Sequence, residues 1–313
     1  MIRLLAPAKL NLYLRVLGLR PDGYHEIETV FERIDLADEL TFEPHPSEVG
    51  LTCTDPTLSC GEENLIAKAA RLLQAASGAR LGARIHVVKR IPIAAGLGGG
   101  SSDAATTLAG LNELWGLGLA QARLIELAAQ LGSDVPCFLS QAALTIGRGR
   151  GEVCEPIHPA CPLAHVLVIP DVRLSTGESY EAFRQRRRAG SSRPIGRGSS
   201  QIGLTGSGPS LTMVTHALSN GSLGELAKGL WNDLAPEAIR RCPVISLIQR
   251  QLCEAGCVGS GVSGSGPAVF GLCADGRHAH EVAAAIRRHG QDPWRIEVVQ
   301  TEPSSLAGSP TNS

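Results

Sequence analysis

From Leu10 the apolar residues recur as Leu10, Leu12, Leu14 and Val16, the period of a strand with one buried face, which leaves Lys9, Asn11, Tyr13 and Arg15 on the other. A Pro-Asp-Gly turn at 21–23 precedes a second strand over 24–36, in which Ile27, Thr29 and Phe31 partly alternate with Glu26, Glu28 and Glu32. Leu65, Ala69, Leu72 and Leu73 share one face of a helix over 64–76, and a short strand over 85–90 ends at Ile91-Pro92. Ala104, Leu108, Leu111 and Trp115 predict an amphipathic helix that starts near Ser102 and closes at Gly116. Leu124, Leu127, Ala128 and Leu131 predict another, stopped by Gly132. A proline cluster (Pro156, Pro159, Pro162) marks a break, after which 164–169 reads as a buried strand, 244–255 as a helix and 268–273 as a strand. The pattern is α+β, and its length suits two domains at about 150 residues each.

Two segments lack any period. Six arginines lie between Arg184 and Arg197, followed by Gly/Ser-rich sequence to Pro209, so 184–210 is read as a disordered insertion, with RNA or phosphate contact as the alternative. Residues 302–313 read as a disordered tail.

Composition narrows the function. Lys plus Arg is 29 and Asp plus Glu is 30, a net charge of −1, which gives no overall field for nucleic acid or an anionic membrane. No stretch of about 20 apolar residues and no signal-peptide pattern occurs, which predicts a cytoplasmic protein. The nine cysteines form no CxxC pair, so reduced, mostly buried thiols are expected, with no disulfide framework. The 36 glycines are the outlier, and they cluster.

The first cluster runs Pro92, Ile93, Ala94, Ala95, Gly96, Leu97, Gly98, Gly99, Gly100, Ser101, Ser102, from a strand end into a helix start. Glycines let a ligand approach the backbone, and the free amides of a helix N-terminus favour phosphate. Ser101 and Ser102 add hydroxyls suited to phosphate oxygens or Mg²⁺. Neither a Walker A loop nor GxGxxG fits this spacing, and a plain turn is the alternative. The second cluster, 259–266, holds a formal GxGxxG at 259, 261 and 264, but a helix precedes it and a strand follows, the reverse of a dinucleotide fold. It reads as a flexible loop closing over anionic groups or as a structural hairpin-like loop. Asp134, between Gly132 and Pro136, is either a turn residue or, with Lys9 and Asn11, part of a phosphoryl-transfer pair in which a carboxylate accepts a hydroxyl proton beside an ammonium.

Together these features resemble the GHMP kinase superfamily. Its phosphate loop matches Pro92 to Ser102, and its Gly-Ser-Gly loop matches Ser263 to Pro267. Ala6-Pro-Ala-Lys-Leu-Asn11, Arg20-Pro-Asp-Gly-Tyr-His25 and Leu131-Gly-Ser-Asp134 resemble the branch acting on 4-diphosphocytidyl-2-C-methyl-D-erythritol in the non-mevalonate isoprenoid pathway. The match spans 3–183, including Gly147-Arg-Gly-Arg-Gly-Glu152, and resumes near Trp231-Asn-Asp-Leu234. The resemblance implies an N-terminal ATP-binding domain at 1–160, a C-terminal domain at 161–301 and an active site in the cleft between them. It implies ATP with Mg²⁺ held mainly by the phosphates, and transfer to the substrate's 2-hydroxyl with Asp134 as base and Lys9 as its electrostatic partner. Asn11 positions the substrate, Tyr24 and Tyr180 stack on either face of the cytosine, His25 meets its edge, and Gly264, Ser265 and Gly266 close the site. A small-molecule substrate, no nucleic acid or membrane partner, and a monomer or homodimer are expected. The alternatives are another superfamily member, of homoserine or mevalonate type or a diphosphomevalonate decarboxylase, and a catalytically silent nucleotide-binding regulatory protein.

Overall fold

The computed structural model describes residues 1–78, 81–140, 142–188, 208–289 and 293–303. Among these, the first sheet has seven strands: β1 (Ile2–Leu19), β2 (His25–His45), β3 (Val49–Cys53), β4 (Gly82–Val88), β5 (Leu144–Arg148), β6 (Val153–Ile157) and β8 (Trp231–Asn232). Its order is β3-β4-β2-β1-β8, with β5 pairing the first part of β2 at Thr29 to Glu32 and β6 pairing β5. Helices α1 (Leu65–Ser77), α2 (Gly99–Leu114), α3 (Gln121–Leu131) and α4 (Val135–Phe138) belong to this half. There Leu73, Leu108, Leu111 and Leu127 pack with Phe42 and Ile85 of the sheet.

The second sheet is antiparallel, with β7 (Ala164–Ile169) and β10 (Val269–Cys273) inside and β9 (Gly259–Val262) and β11 (Arg295–Gln300) at the edges. Its helices are α5 (Thr176–Arg188), α6 (Leu211–Asn220), α7 (Leu223–Gly229), α8 (Ala235–Arg241), α9 (Val244–Glu254) and α10 (Gly276–His289). Ile245, Ile248, Leu252, Val282 and Ile286 cover the face formed by Val166, Val168 and Val269. The other face joins the first half: Leu167 and Phe270 share one core with Leu10, Leu12, Val30 and Ile34. Across this seam His165 Nε2 lies 2.8 Å from Glu32 Oε2, and Thr301 donates to Glu32 Oε1 at 2.7 Å, all three side chains being buried. Both Glu32 oxygens are thus partnered, which offsets the cost of burying the carboxylate.

Several expectations change. From Ala6 to Leu14 β1 is buried on both faces, including Lys9, Asn11 and Tyr13, because Leu10 and Leu12 face the shared core, the glycine loops lie over Lys9 and Asn11, and a register shift between Asn11 and Tyr13 breaks the alternation. The helix expected from Ser102 begins at Gly99, so Gly99 and Gly100 sit in its first turn. Within the second glycine cluster, 259–262 is strand β9 paired with β10, and the loop proper starts at Ser263. The expected insertion at 184–210 begins inside a helix, since α5 runs to Arg188; 189–207 lie outside the described residues, as do 304–313 of the tail. The first tail residue is anchored, with Glu302 Oε2 2.8 Å from Arg33 Nε and its N–H donating to Arg33 O. One disulfide, Cys137–Cys154, is present because α4 and β6 bring their Cα atoms to 5.7 Å. Of the free cysteines, Cys242 and Cys273 are buried, whereas Cys60, Cys161 and Cys253 are exposed.

Candidate active site

A cavity of about 800 Å³ lies where the two halves meet, lined by β1, the 91–101 segment, α5 and the 263–266 loop. Its floor is the middle of β1. Lys9 Nζ donates to Asn11 Oδ1 and lies 3.8 Å from Asp134 Oδ2. Asn11 is held in turn, since its Nδ2 donates to Thr29 Oγ1 at 2.9 Å and Thr29 donates to Tyr13 O at 2.7 Å. Phe31 presents its ring 5.5 Å from the ammonium. Burial pulls the Lys9 ammonium below the usual lysine range, and the Asp134 carboxylate acts against this. Asp134 reaches the cavity from the head of α4, half-buried.

Above this floor two glycine loops cross. Ala94, Gly96 and Gly98 have φ of 56°, 80° and 71°, and Gly98 caps α2 with no side-chain hydrogen bond, so the first-turn amides have no capping partner. Gly96 is required by contact as well as by φ: a Cβ there would stand 2.2 Å from Ser263 O. Ser263 Oγ donates to Gly96 O at 2.9 Å and Ala268 N to Ala95 O at 3.1 Å, so the second loop is packed onto the first. A Cβ on Gly264 would meet Lys9 Nζ at 3.0 Å, which puts that glycine directly over the Lys9–Asn11 pair. Asn232 fixes this loop through Nδ2, donating to Val262 O at 2.8 Å and Gly264 O at 2.7 Å. Ser265 meets Thr176 Oγ1 at 3.0 Å.

At one side of the cavity stand Tyr24, His25 and Tyr180. His25 and Tyr180 stack on each other, with centroids 5.1 Å apart at 26°. Tyr24 carries the Arg150 guanidinium 4.6 Å from its ring centroid. The two tyrosines are therefore in one cavity, each against a different neighbour, with no ring contact between them among the described residues. Burial pushes the Tyr180 phenol up, and the Asp134 and Asp233 carboxylates add to this.

The sequence reading missed further lining residues, Leu58 and Ser59 before α1 and Asn64 and Leu65 at its start. It also missed Lys89, which donates to Asp38 and to Asp103 Oδ2 at 2.8 Å and so pins the head of α2 to β2. Asp38 Oδ1 further accepts from Ile91 N at 2.9 Å. Burial raises the Asp103 carboxyl to about 7 against the pull of Lys89. Arg150 escaped notice too. Its only signal was a place in the Gly147 to Glu152 stretch, since nothing local says that a turn residue meets one 126 positions earlier.

Comparison with known proteins decides the family. The GHMP kinase N-terminal domain model matches residues 64–142 and the C-terminal model 214–292. A protein of Pelotomaculum thermopropionicum named 4-diphosphocytidyl-2-C-methyl-D-erythritol kinase is 44% identical over 92% of this chain and 94% of its own. One of the same name from Synechococcus sp. is 40% identical over 98% of both. The chain belongs to the 4-diphosphocytidyl-2-C-methyl-D-erythritol kinase family. A solved kinase of this family, 35% identical, superposes with a TM-score of 0.75 over 96% of this chain and 100% of that one. Homoserine kinase from Cytophaga hutchinsonii (TM-score 0.68, 15% identity, 95% of each chain) and L. major mevalonate kinase (0.70, 16%, 97% of each) share the fold. As a member of this family the chain is a kinase with the α+β GHMP architecture, and no helix of the described residues is long and apolar enough to cross a membrane.

Proposed function

We propose that the chain transfers the γ-phosphoryl group of ATP to the 2-hydroxyl of 4-diphosphocytidyl-2-C-methyl-D-erythritol, as a cytoplasmic enzyme of isoprenoid precursor synthesis. The observation that carries this is the Lys9–Asp134 pair, 3.8 Å apart, beneath the glycine loop in a cavity that also holds Tyr24, His25 and Tyr180. The same pair speaks against a silent regulatory protein. The chain divides near residue 160 into an ATP-binding half and a closing half, a reading supported by the second sheet starting at Ala164.

The phosphates of ATP rest on the 96–102 segment, chiefly on its amides before Ser102, whose own N–H donates to Gly98 O, where the loop and the dipole of α2 supply positive potential without side-chain charge. Asp134 accepts the proton of the 2-hydroxyl, and Lys9 stabilises the charge that develops beside it. In a loose transition state the proton can leave after the P–O bond has largely broken, so positioning does most of the work. Asn11 orients the acceptor end, Tyr24 and Tyr180 take the cytosine between them, and His25 meets its edge. Gly264, Ser265 and Gly266 cover the acceptor.

Among the described residues no group of three His, Cys, Asp or Glu side chains could hold a metal ion. Ser101 lines the cavity and the buried Ser102 Oγ has no hydrogen-bond partner among the described residues, which fits a Mg²⁺ carried by the phosphates with one of these two hydroxyls as its protein contact. Mg²⁺ there would neutralise the charge of the transferring group.

ADP release measured against the cytidylyl substrate, homoserine, mevalonate and galactose tests the reading. Release with the first alone is expected, and release with homoserine or mevalonate instead would overturn it.

A further inference from the structure

Tyr24 stands on the turn between β1 and β2, where its N–H meets Asp22 Oδ1 at 3.1 Å and its carbonyl accepts from Arg20 N at 2.8 Å. The backbone is therefore held, yet the side chain is 52% exposed and belongs to none of the apolar clusters. A stacking wall without packing behind it must be ordered when the ligand arrives, and that ordering weakens binding.

Arg150 supplies the missing backing. Its guanidinium stands over the Tyr24 ring, 4.6 Å from the centroid, while Tyr24 stays half exposed in the cavity lining. Arg150 is itself secured from two sides: Nη2 donates to Ala129 O at 3.2 Å, and Nε lies 3.7 Å from Glu152 Oε1. It sits on the turn between β5 and β6, and the Cys137–Cys154 disulfide ties β6 to α4, directly after Asp134. Gly151 continues this link, since a Cβ there would lie 3.8 Å from Asp134 Oδ1. The plate behind Tyr24 is thus tied to the segment that carries the candidate base.

We propose that Arg150 is a positioning residue for nucleobase recognition: it presets the Tyr24 ring, so that the cytosine completes a guanidinium–tyrosine–base stack already half assembled. The proposal rests on the cytidylyl reading above and adds a specificity determinant to it. The guanidinium suits the task because it is planar, stays charged and stacks on aromatic faces, whereas an ammonium offers only a point charge.

Steady-state kinetics with varied cytidylyl substrate and varied ATP test this in Arg150→Gln, Arg150→Lys, Tyr24→Ala and the Arg150→Gln/Tyr24→Ala double variant. Arg150→Gln is expected to raise KM for the cytidylyl substrate about fivefold to tenfold, the range of a partly desolvated cation–π contact, with kcat and the KM for ATP within about twofold of wild type by the same reasoning. Arg150→Lys should recover part of the loss. In the Tyr24→Ala background Arg150→Gln should add nothing, because its effect runs through that ring. An unchanged KM in Arg150→Gln, an equal penalty with and without Tyr24, or a parallel fall in kcat and ATP affinity would each overturn the proposal while wild-type turnover upholds the reading beneath it. Absence of wild-type turnover with the cytidylyl substrate would overturn both.

Discussion

The two ends of the cavity are built in opposite ways. At the chemical end Lys9 is 4% exposed and Asn11 2%, on a strand paired with β2 and with Lys9 N donating to Leu97 O of the glycine loop. At the base-recognition end Tyr24 is 52% exposed, on a turn, with a guanidinium for backing. Charge stabilisation gains from low dielectric and from groups that need not reorganise, so the reacting atoms belong in the packed interior. A nucleobase needs a flat face and an entrance, which a turn at the rim provides. Position within the sheet thus sets which residues act on the reacting group and which select the substrate.

Asp134→Asn attacks the chemical end with the largest expected effect. It should lower kcat by about 10²–10⁴-fold, the usual worth of a general base, while nucleotide titration still shows binding; turnover at the wild-type rate would remove Asp134 from the mechanism. The next effect comes from a pair of glycines. Gly96→Ala places a Cβ 2.2 Å from Ser263 O at φ +80°, so the loops must separate, and both thermal stability and kcat/KM for ATP should fall sharply. Gly23→Ala meets nothing within 4 Å at φ +85°, so it should cost only the left-handed strain of about 1–2 kcal/mol. Equal losses in melting temperature and activity would erase the contrast between a packed and an open end.

Tyr24→Ala should raise KM for the cytidylyl substrate by about 5- to 160-fold, as expected for the loss of stacking worth ~1–3 kcal/mol, and leave the KM for ATP nearly unchanged. An equal rise for both substrates would place Tyr24 outside base recognition. The smallest effect concerns the support of the phosphate loop. Asp103 ionises at about 7 in the fold against 3.8 ordinarily, because it is buried. Between these values the folded chain keeps a proton that the unfolded chain has lost, so this group makes stability fall as pH rises from 4 to 7. Asp103→Asn should flatten that slope by up to about one proton in denaturation midpoints taken across the window, and an unchanged slope would contradict the assignment.

Much of this was legible along the chain. The 164–169 strand, the helices bounded by Gly132 and near Gly116, and the strand-to-helix glycine loop follow from local periodicity and from residues whose backbone preferences need no distant partner. The Lys9, Asn11, Asp134 and Gly264 set was also readable, and the fold brings these four together. The face of β1 was misjudged because alternation reports the residues facing the core and says nothing of distant loops, here at Gly98 and Gly264, that settle over Lys9 and Asn11 on the other face. Tyr24 and Tyr180 were read as two rings facing one base; the fold brings both to one cavity, and what the sequence did not tell is the neighbour of each, Arg150 at Tyr24 and His25 at Tyr180.

What the amino-acid sequence determined by itself is therefore the order of the elements, the loops able to receive phosphate and the residue types available for transfer, since each is set within a few residues by period, turn chemistry or backbone freedom. Tertiary structure alone decided that Ser263 packs onto Gly96 across 167 positions, that Lys89 joins Asp38 to Asp103 across 51 and 14, and that Arg150 stands behind Tyr24. Such contacts depend on which surfaces the common core brings together, and no local pattern encodes that distance.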